Sequence, residues 1–205
     1  MSEASPHPVW SALRRLSRLR LPATFEHERR VGLLCAALCQ RLGMSSADCA
    51  AHQAAAELHD VGKLVLPDAI IDKPDRLTAE EYAQVQGHSQ LGHSILSATE
   101  EPALALAADV ALSHHERWDG SGYPQGLSGT AIPLAARIVA VCDVYSALRE
   151  YRPYKAPMSH APAMRLMLLG EATGSRAPAG RFDPALLAVL AGDPDLFRDV
   201  LGVTD

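Results

Sequence analysis

Aromatic residues are scarce in this 205-residue chain, with three Phe, two Trp and five Tyr, or 5% in all. Its 48% hydrophobic content therefore rests mostly on Ala, Leu and Val, a balance that favours packed helices over a β-sandwich. No strand pattern of any length appears, and no internal repeat. Basic residues are not in surplus either. Lys and Arg number 19 against 24 Asp and Glu, for a net charge of −5, so no general basic surface points to DNA. An anionic small ligand stays open, because bound metal ions would invert the local field. No stretch approaches the roughly 18 apolar residues of a membrane span. Arg14, Arg15, Arg18 and Arg20 alternate with leucines instead of leading into an apolar run, so no signal peptide is visible. The four cysteines form no Cys-x-x-Cys pair. They read as reduced core thiols of a cytoplasmic protein, against metal ligation or a redox switch.

What is present is helical periodicity with clear punctuation. Residues 1–21 read as a frayed tail followed by a short amphipathic helix over Trp10 to Leu21. That helix is either packed on the domain by its leucines or a linker or dimer contact. Residues 22–205 read as one all-α bundle, giving about eight to ten helices in all. Pro22 breaks the first helix, and a second runs from Thr24 to Leu42 with Gly43 closing it. Ser45 or Ser46 caps a third, which runs into His59-Asp60 and ends at Val61-Gly62-Lys63. Thr78 and Glu81 form a capping box. Pro102 and Pro133 suit first helical positions. Asp183-Pro184 and Asp193-Pro194 each read as a cap followed by a first-position proline. Glu171 to Gly180 reads as a mobile loop.

Against this background a set of polar residues stands out. His114-His115 end an apolar helix and feed a loop containing Gly120, Gly122 and Gly126. His27 opens a buried stripe, His59-Asp60 end a helix, and His88 follows Gly87. Asp143 sits mid-helix in the run Val139 to Tyr145, a costly place for a carboxylate unless it is paired or bound to a cation. Each has a structural explanation alone. Together, five imidazoles and two carboxylates suit two adjacent transition metals, with one carboxylate bridging. Two such ions about 3.5–4 Å apart can clamp a phosphodiester and activate a water. Lys63 and Lys155 are positioned in sequence to neutralise phosphate oxygens.

The spacing resembles the HD superfamily of metal-dependent phosphohydrolases, and more narrowly its HD-GYP subfamily of bacterial cyclic di-GMP phosphodiesterases. The matching stretches are His59-Asp60-Val61-Gly62-Lys63, His88 with Leu91-Gly92, and His114-His115-Glu116 through Asp119-Gly120-Ser121-Gly122-Tyr123-Pro124. Asp143-Val144, Arg152-Pro153-Tyr154-Lys155 and Phe182-Asp183-Pro184 complete the pattern. The resemblance implies an HD-type bundle with His27, His59, Asp60 and Asp143 on one metal and His88, His114 and His115 on a second, bridged by Asp60. It implies Asp60 and Lys63 as catalytic groups. Substrate contacts would come from Lys63, Lys155 and the Gly122-Tyr123-Pro124 loop, which would also contact diguanylate cyclase domains. Iron or manganese is the expected metal, with zinc, nickel or cobalt as alternatives. The expected reaction is hydrolysis of cyclic di-GMP by a metal-activated hydroxide to pGpG, with GMP as the alternative end product. Some members hold a third metal through a glutamate four residues before the first histidine. Here that position is Ala23, so two metals are expected. Competing readings are another cyclic dinucleotide, a binding or docking module with little turnover, and a di-iron HD-type oxygenase. A separate regulatory protein and a homodimer are compatible with the pattern.

Overall fold

A computed structural model of the chain describes residues 7–99, 101–151, 156–169, 171–172, 175–176 and 180–202. In chain order the elements are α1 (Pro8–Arg20), α2 (Pro22–Arg41), α3 (Ser46–Ala56), a 3₁₀ turn (Val61–Val65), α4 (Asp68–Ile71), α5 (Ala79–Gln86), α6 (His88–Ser97) and α7 (Pro102–Ser113). A second 3₁₀ turn (Gly129–Ala131), α8 (Leu134–Arg149), α9 (His160–Leu169), β1 (Glu171–Ala172), β2 (Ser175–Arg176), α10 (Pro184–Gly192) and α11 (Leu196–Leu201) follow. The all-α expectation holds. The only strands among the described residues are β1 and β2, which pair antiparallel in the segment expected to be a loop. None of the described helices is long and apolar enough to cross a membrane.

Helix α2 is the central pillar and packs on α1, α3, α8 and α11, while α6 and α7 pair beside the first 3₁₀ turn. Val31, Leu34, Cys35 and Leu38 of α2 are fully buried against Leu58, Ile138, Cys142, Tyr145 and Phe197. All four cysteines are free and buried, as core thiols should be. Ser45 caps α3 by accepting from Asp48 N at 3.1 Å, and the Thr78/Glu81 capping box is complete.

Several expected boundaries move. Pro22 does not only end α1; it is the first residue of α2, where its missing N–H costs nothing. Helix α3 stops at Ala56, before His59-Asp60, because the chain turns there and tightens into the 3₁₀ turn. Pro133 stands just before α8. Asp183 does cap α10, accepting from Ala185 N at 2.8 Å. Asp193-Pro194 is not the same device: Asp193 closes α10, and α11 starts at Leu196.

Helix α1 is bound to the bundle through a buried polar knot. Arg14 Nη1 donates to Glu28 Oε2 at 2.8 Å and to the Glu57 carbonyl at 3.0 Å, and its Nε lies 3.3 Å from Glu57 Oε2. Its guanidinium also stacks on Phe25 at 4.1 Å. Burial lifts the Glu28 carboxyl to about 8, with Asp60 pushing the same way and Arg14 opposing. Glu28 adjoins His27, and Glu57 lies two residues before His59, so the knot braces two segments that carry site histidines. Removing one partner of a buried pair strands the others. Arg14→Ala is expected to lose about 3–5 kcal/mol of stability in urea unfolding. An unchanged midpoint would show that α1 is not needed as a brace.

Candidate metal centre

The singled-out histidines and aspartates, scattered over more than a hundred residues, meet at the Asp60 carboxylate. Asp60 Oδ1 lies 3.2 Å from His88 Nε2 and 3.8 Å from His114 Nε2. Its Oδ2 is 3.5 Å from His59 Nε2 and accepts from Lys63 Nζ. Ligand atoms of Asp60, His88, His114 and His115 lie within 4.8 Å of one another, as do those of His27, His59 and Asp60. The two groups share only Asp60. Asp143 joins through its Oδ1, 2.9 Å from His27 Nε2.

Helix ends explain how these rings are aimed. The last turn of a helix leaves carbonyls without helical partners. His59 Nδ1 is 2.7 Å from Ala56 O at the end of α3. His88 Nδ1 is 2.6 Å from Val85 O at the end of α5. His114 Nδ1 is 3.0 Å from Val110 O and 3.1 Å from Ala111 O at the end of α7. A carbonyl only accepts, so Nδ1 carries the proton in each ring, and the neutral ring turns an Nε2 lone pair inward. His27 is held differently, with Nδ1 3.1 Å from Ser146 Oγ.

These atoms fit cations. His88 Nε2 and His114 Nε2 face each other at 3.3 Å, and with Nδ1 protonated in neutral rings they have no proton to share. Asp60 Oδ1 is buried without a hydrogen-bond partner among the described residues. Burial would raise the Asp60 carboxyl, but Lys63, His59 and His88 outweigh it and hold it well below the usual carboxylate range. Asp143 is depressed in the same way, chiefly by His27. Burial lowers His59 and, further, His114, and it pulls His115 down to about 3. Charged carboxylates and neutral imidazoles are the protonation states that ligate metal ions.

Close backbone packing holds the frame. A Cβ on Gly62 would stand 2.0 Å from His88 O and 2.6 Å from Gly92 N, so only glycine lets the 3₁₀ turn lie against α6. A Cβ on Gly122 would stand 2.4 Å from Arg117 N. Buried Glu116 accepts from Gln125 N at 2.7 Å and Leu127 N at 3.0 Å, which ties down the Gly122-Tyr123-Pro124 loop. The Tyr123–Pro124 bond is cis. The Tyr123 ring lies 4.7 Å from that of His115, and burial pushes its hydroxyl up, so it remains a neutral phenol.

A cavity of about 550 Å³ opens onto this cluster, lined by Ala23, His27, Asp60, Lys63, His88, His115, Tyr123, Asp143 and Glu150 among others. Lys63 is protonated there: burial would lower its ammonium, but Asp60 outweighs that and raises it. Ala23 brings no carboxylate, and nearby Glu26 is exposed and paired with Arg29 at 3.1 Å. Lys155 and the rest of Arg152-Pro153-Tyr154 lie outside the described residues. Pro124 does not line the cavity, whereas its neighbour Tyr123 does.

Comparison with known proteins agrees with this geometry. The HD domain family model matches residues 11–185. The chain belongs to the HD domain family. The "Cyclic di-GMP phosphodiesterase" of Thermotoga maritima is 45% identical over 157 residues, covering 77% of this chain and 43% of the relative. The "Cyclic di-GMP phosphodiesterase response regulator RpfG" of Xanthomonas campestris is 38% identical over 188 residues, covering 91% and 48%. The "3'3'-cGAMP-specific phosphodiesterase 2" of Vibrio cholerae is 37% identical over 175 residues, covering 85% and 32%. The chain thus spans less than half the length of each of these curated relatives. Among solved structures, the HD domain of the L. monocytogenes phosphodiesterase PgpH in complex with cyclic-di-AMP superposes with a TM-score of 0.64 at 17% identity, covering 93% of this chain and 96% of that one. That likeness establishes the fold.

Three contributors to this HD domain's cavity and loop were not assigned from sequence. Ser146 orients His27, Glu116 fastens the loop, and Glu150 stands with its Oε2 3.8 Å from His27 Nδ1. The hints were a serine one turn after Asp143 on the same helix face and a glutamate directly after His114-His115 in the matched stretch. The backbone contacts at Gly62 give a direct test. Gly62→Ala is expected to cost about 1–3 kcal/mol by overpacking and to lower metal content after reconstitution, read by elemental analysis. Gly192→Ala, where no atom lies within 4 Å of the added carbon, serves as the control. Full metal content in the Gly62 variant would show that the 3₁₀ turn does not set the site.

Proposed function

We propose that this HD domain is a phosphodiesterase that hydrolyses cyclic di-GMP to pGpG, with GMP as the alternative end product. The observation that carries the proposal is the buried Asp60 carboxylate shared by two groups of imidazoles. The names of the Thermotoga and Xanthomonas relatives supply the substrate. Residues 22–205 are the proposed catalytic unit, with α1 as its brace, and a homodimer and a regulatory partner remain compatible with it. His27, His59, Asp60 and Asp143 would hold one divalent ion, and His88, His114 and His115 with Asp60 a second, iron or manganese by the family resemblance, with zinc, nickel or cobalt as alternatives the same donors suit. Two such ions would polarise a phosphoryl oxygen and lower the pKa of a bound water.

The protein's own groups do the rest. Imidazoles fixed by helix-end carbonyls keep their lone pairs on the site without reorganisation. Lys63, protonated at Nζ, donates to a non-bridging phosphate oxygen where charge develops. Lys155 is proposed to do the same from the sequence motif. Tyr123 offers a phenol hydrogen and an apolar ring face at the cavity wall. A second cyclic dinucleotide is favoured by one observation: the Vibrio relative, 37% identical, is named for 3'3'-cGAMP.

The test is turnover of cyclic di-GMP by metal-loaded protein under reducing, anaerobic conditions, with products separated by chromatography. Appearance of pGpG or GMP is expected. A fully loaded protein that leaves every cyclic dinucleotide intact would refute the proposal. Lys63→Gln is expected to lower kcat on the order of a hundredfold with metal content retained. If that variant loses its metals instead, Lys63 serves the fold of the site and not the phosphate.

A further inference from the structure

A second cavity, about 220 Å³, carries groups that the metal chemistry does not use. It shares Tyr82, His115, Tyr123 and Asp143 with the larger one and adds Arg117 and Arg181. The two arginine-bearing segments are tied through the backbone, since Trp118 N donates to Arg181 O at 2.9 Å. Gly180, with φ +91°, packs on Asp119, where an added Cβ would stand 3.3 Å from the Asp119 Cβ. Arg181 is thus placed beside the loop by main-chain contacts, and its side chain is left to face the cavity.

Neither guanidinium forms an ion pair among the described residues, although the Asp119 carboxylate stands close enough to act on both and Asp143 acts on Arg181. Among the described residues Arg117 Nη1 donates to Ser121 Oγ alone, at 3.3 Å. The Arg181 side chain has no hydrogen bond or ion pair among the described residues, although it is half-buried. Burial lowers the Arg181 guanidinium, and the Arg117 charge lowers it further, as expected of two like charges set close together. Two such forks at one cavity call for a ligand rich in acceptors. Tyr82, 50% exposed, and Tyr123 supply aromatic faces at the same wall. Guanine offers O6 and N7 to a guanidinium fork, whereas adenine places an amino donor where O6 would be. Its flat face stacks on an aromatic ring.

We infer that Arg181 and Arg117, with Tyr82, form a guanine-reading subsite beside the metal ligands that selects the base of the cyclic dinucleotide. The inference rests on the phosphodiesterase reading above.

The experiment compares wild type, Arg181→Ala and Arg181→Lys on cyclic di-GMP, cyclic di-AMP and bis(p-nitrophenyl) phosphate. It is run beside calorimetric binding of both dinucleotides to the metal-free chain. In the Ala variant, the kcat/KM ratio of cyclic di-GMP to cyclic di-AMP is expected to fall about tenfold or more, with a similar loss of preference in Kd. The Lys variant should lie between, since it keeps the charge and loses the fork, and it carries the comparison if the Ala variant melts lower. Equal losses on both dinucleotides would mean that Arg181 holds a phosphate, which overturns the assignment to guanine. An unchanged ratio and Kd preference would overturn it too, with the phosphodiesterase reading intact. Wild type that cleaves bis(p-nitrophenyl) phosphate and no dinucleotide would remove that reading and the subsite with it.

Discussion

The structure depends on keeping one carboxylate, Asp60, charged where water does not reach. Burying an unpaired anion is costly enough that such a group neutralises or finds cations. Here Lys63 takes one oxygen, while the other faces the Nε2 atoms of His88 and His114 with no hydrogen bond of its own among the described residues. Four helices, the first 3₁₀ turn and the glycine contacts under it converge on this point. The packing therefore serves the site as much as the site fits the packing. The α1 knot acts on the segments that present His27 and His59.

A common device aims the rings. Helices α3, α5 and α7 end just before a site histidine, and each histidine sets its Nδ1 against a carbonyl in the last turn of the helix it follows. Helix termination and ring orientation are therefore one event. His27, which sits inside α2 and not after a helix end, is held instead by a side chain from α8, Ser146.

Much of this was legible in the chain. Alanine and leucine periodicity indicated helices, and the capping residues Ser45, Thr78 and Asp183 marked starts that the structure keeps. The set of His27, His59, Asp60, His88, His114, His115 and Asp143 was visible because each is hard to reconcile with its apolar neighbours, and the fold gathers all seven. What stayed hidden depends on distant partners. Arg14 looked like one of several basic surface residues until Glu28 and Glu57 enclosed it. Glu116 and Ser146 look ordinary without the loop amides and the His27 ring they serve. Asp193-Pro194 repeats the form of Asp183-Pro184, yet the chain ends one helix there before starting the next, a difference set by packing on α2 and not by local propensity.

The proposed sharing of Asp60 between two metal sites can be read from metal stoichiometry. Wild type and Asp60→Ala would be reconstituted in parallel with iron or manganese, with folding checked by circular dichroism, and bound metal counted per chain. The arrangement predicts about two ions in wild type and less than one in the folded variant, because both sites lose a ligand together. A folded Asp60→Ala protein that still holds two ions would contradict it.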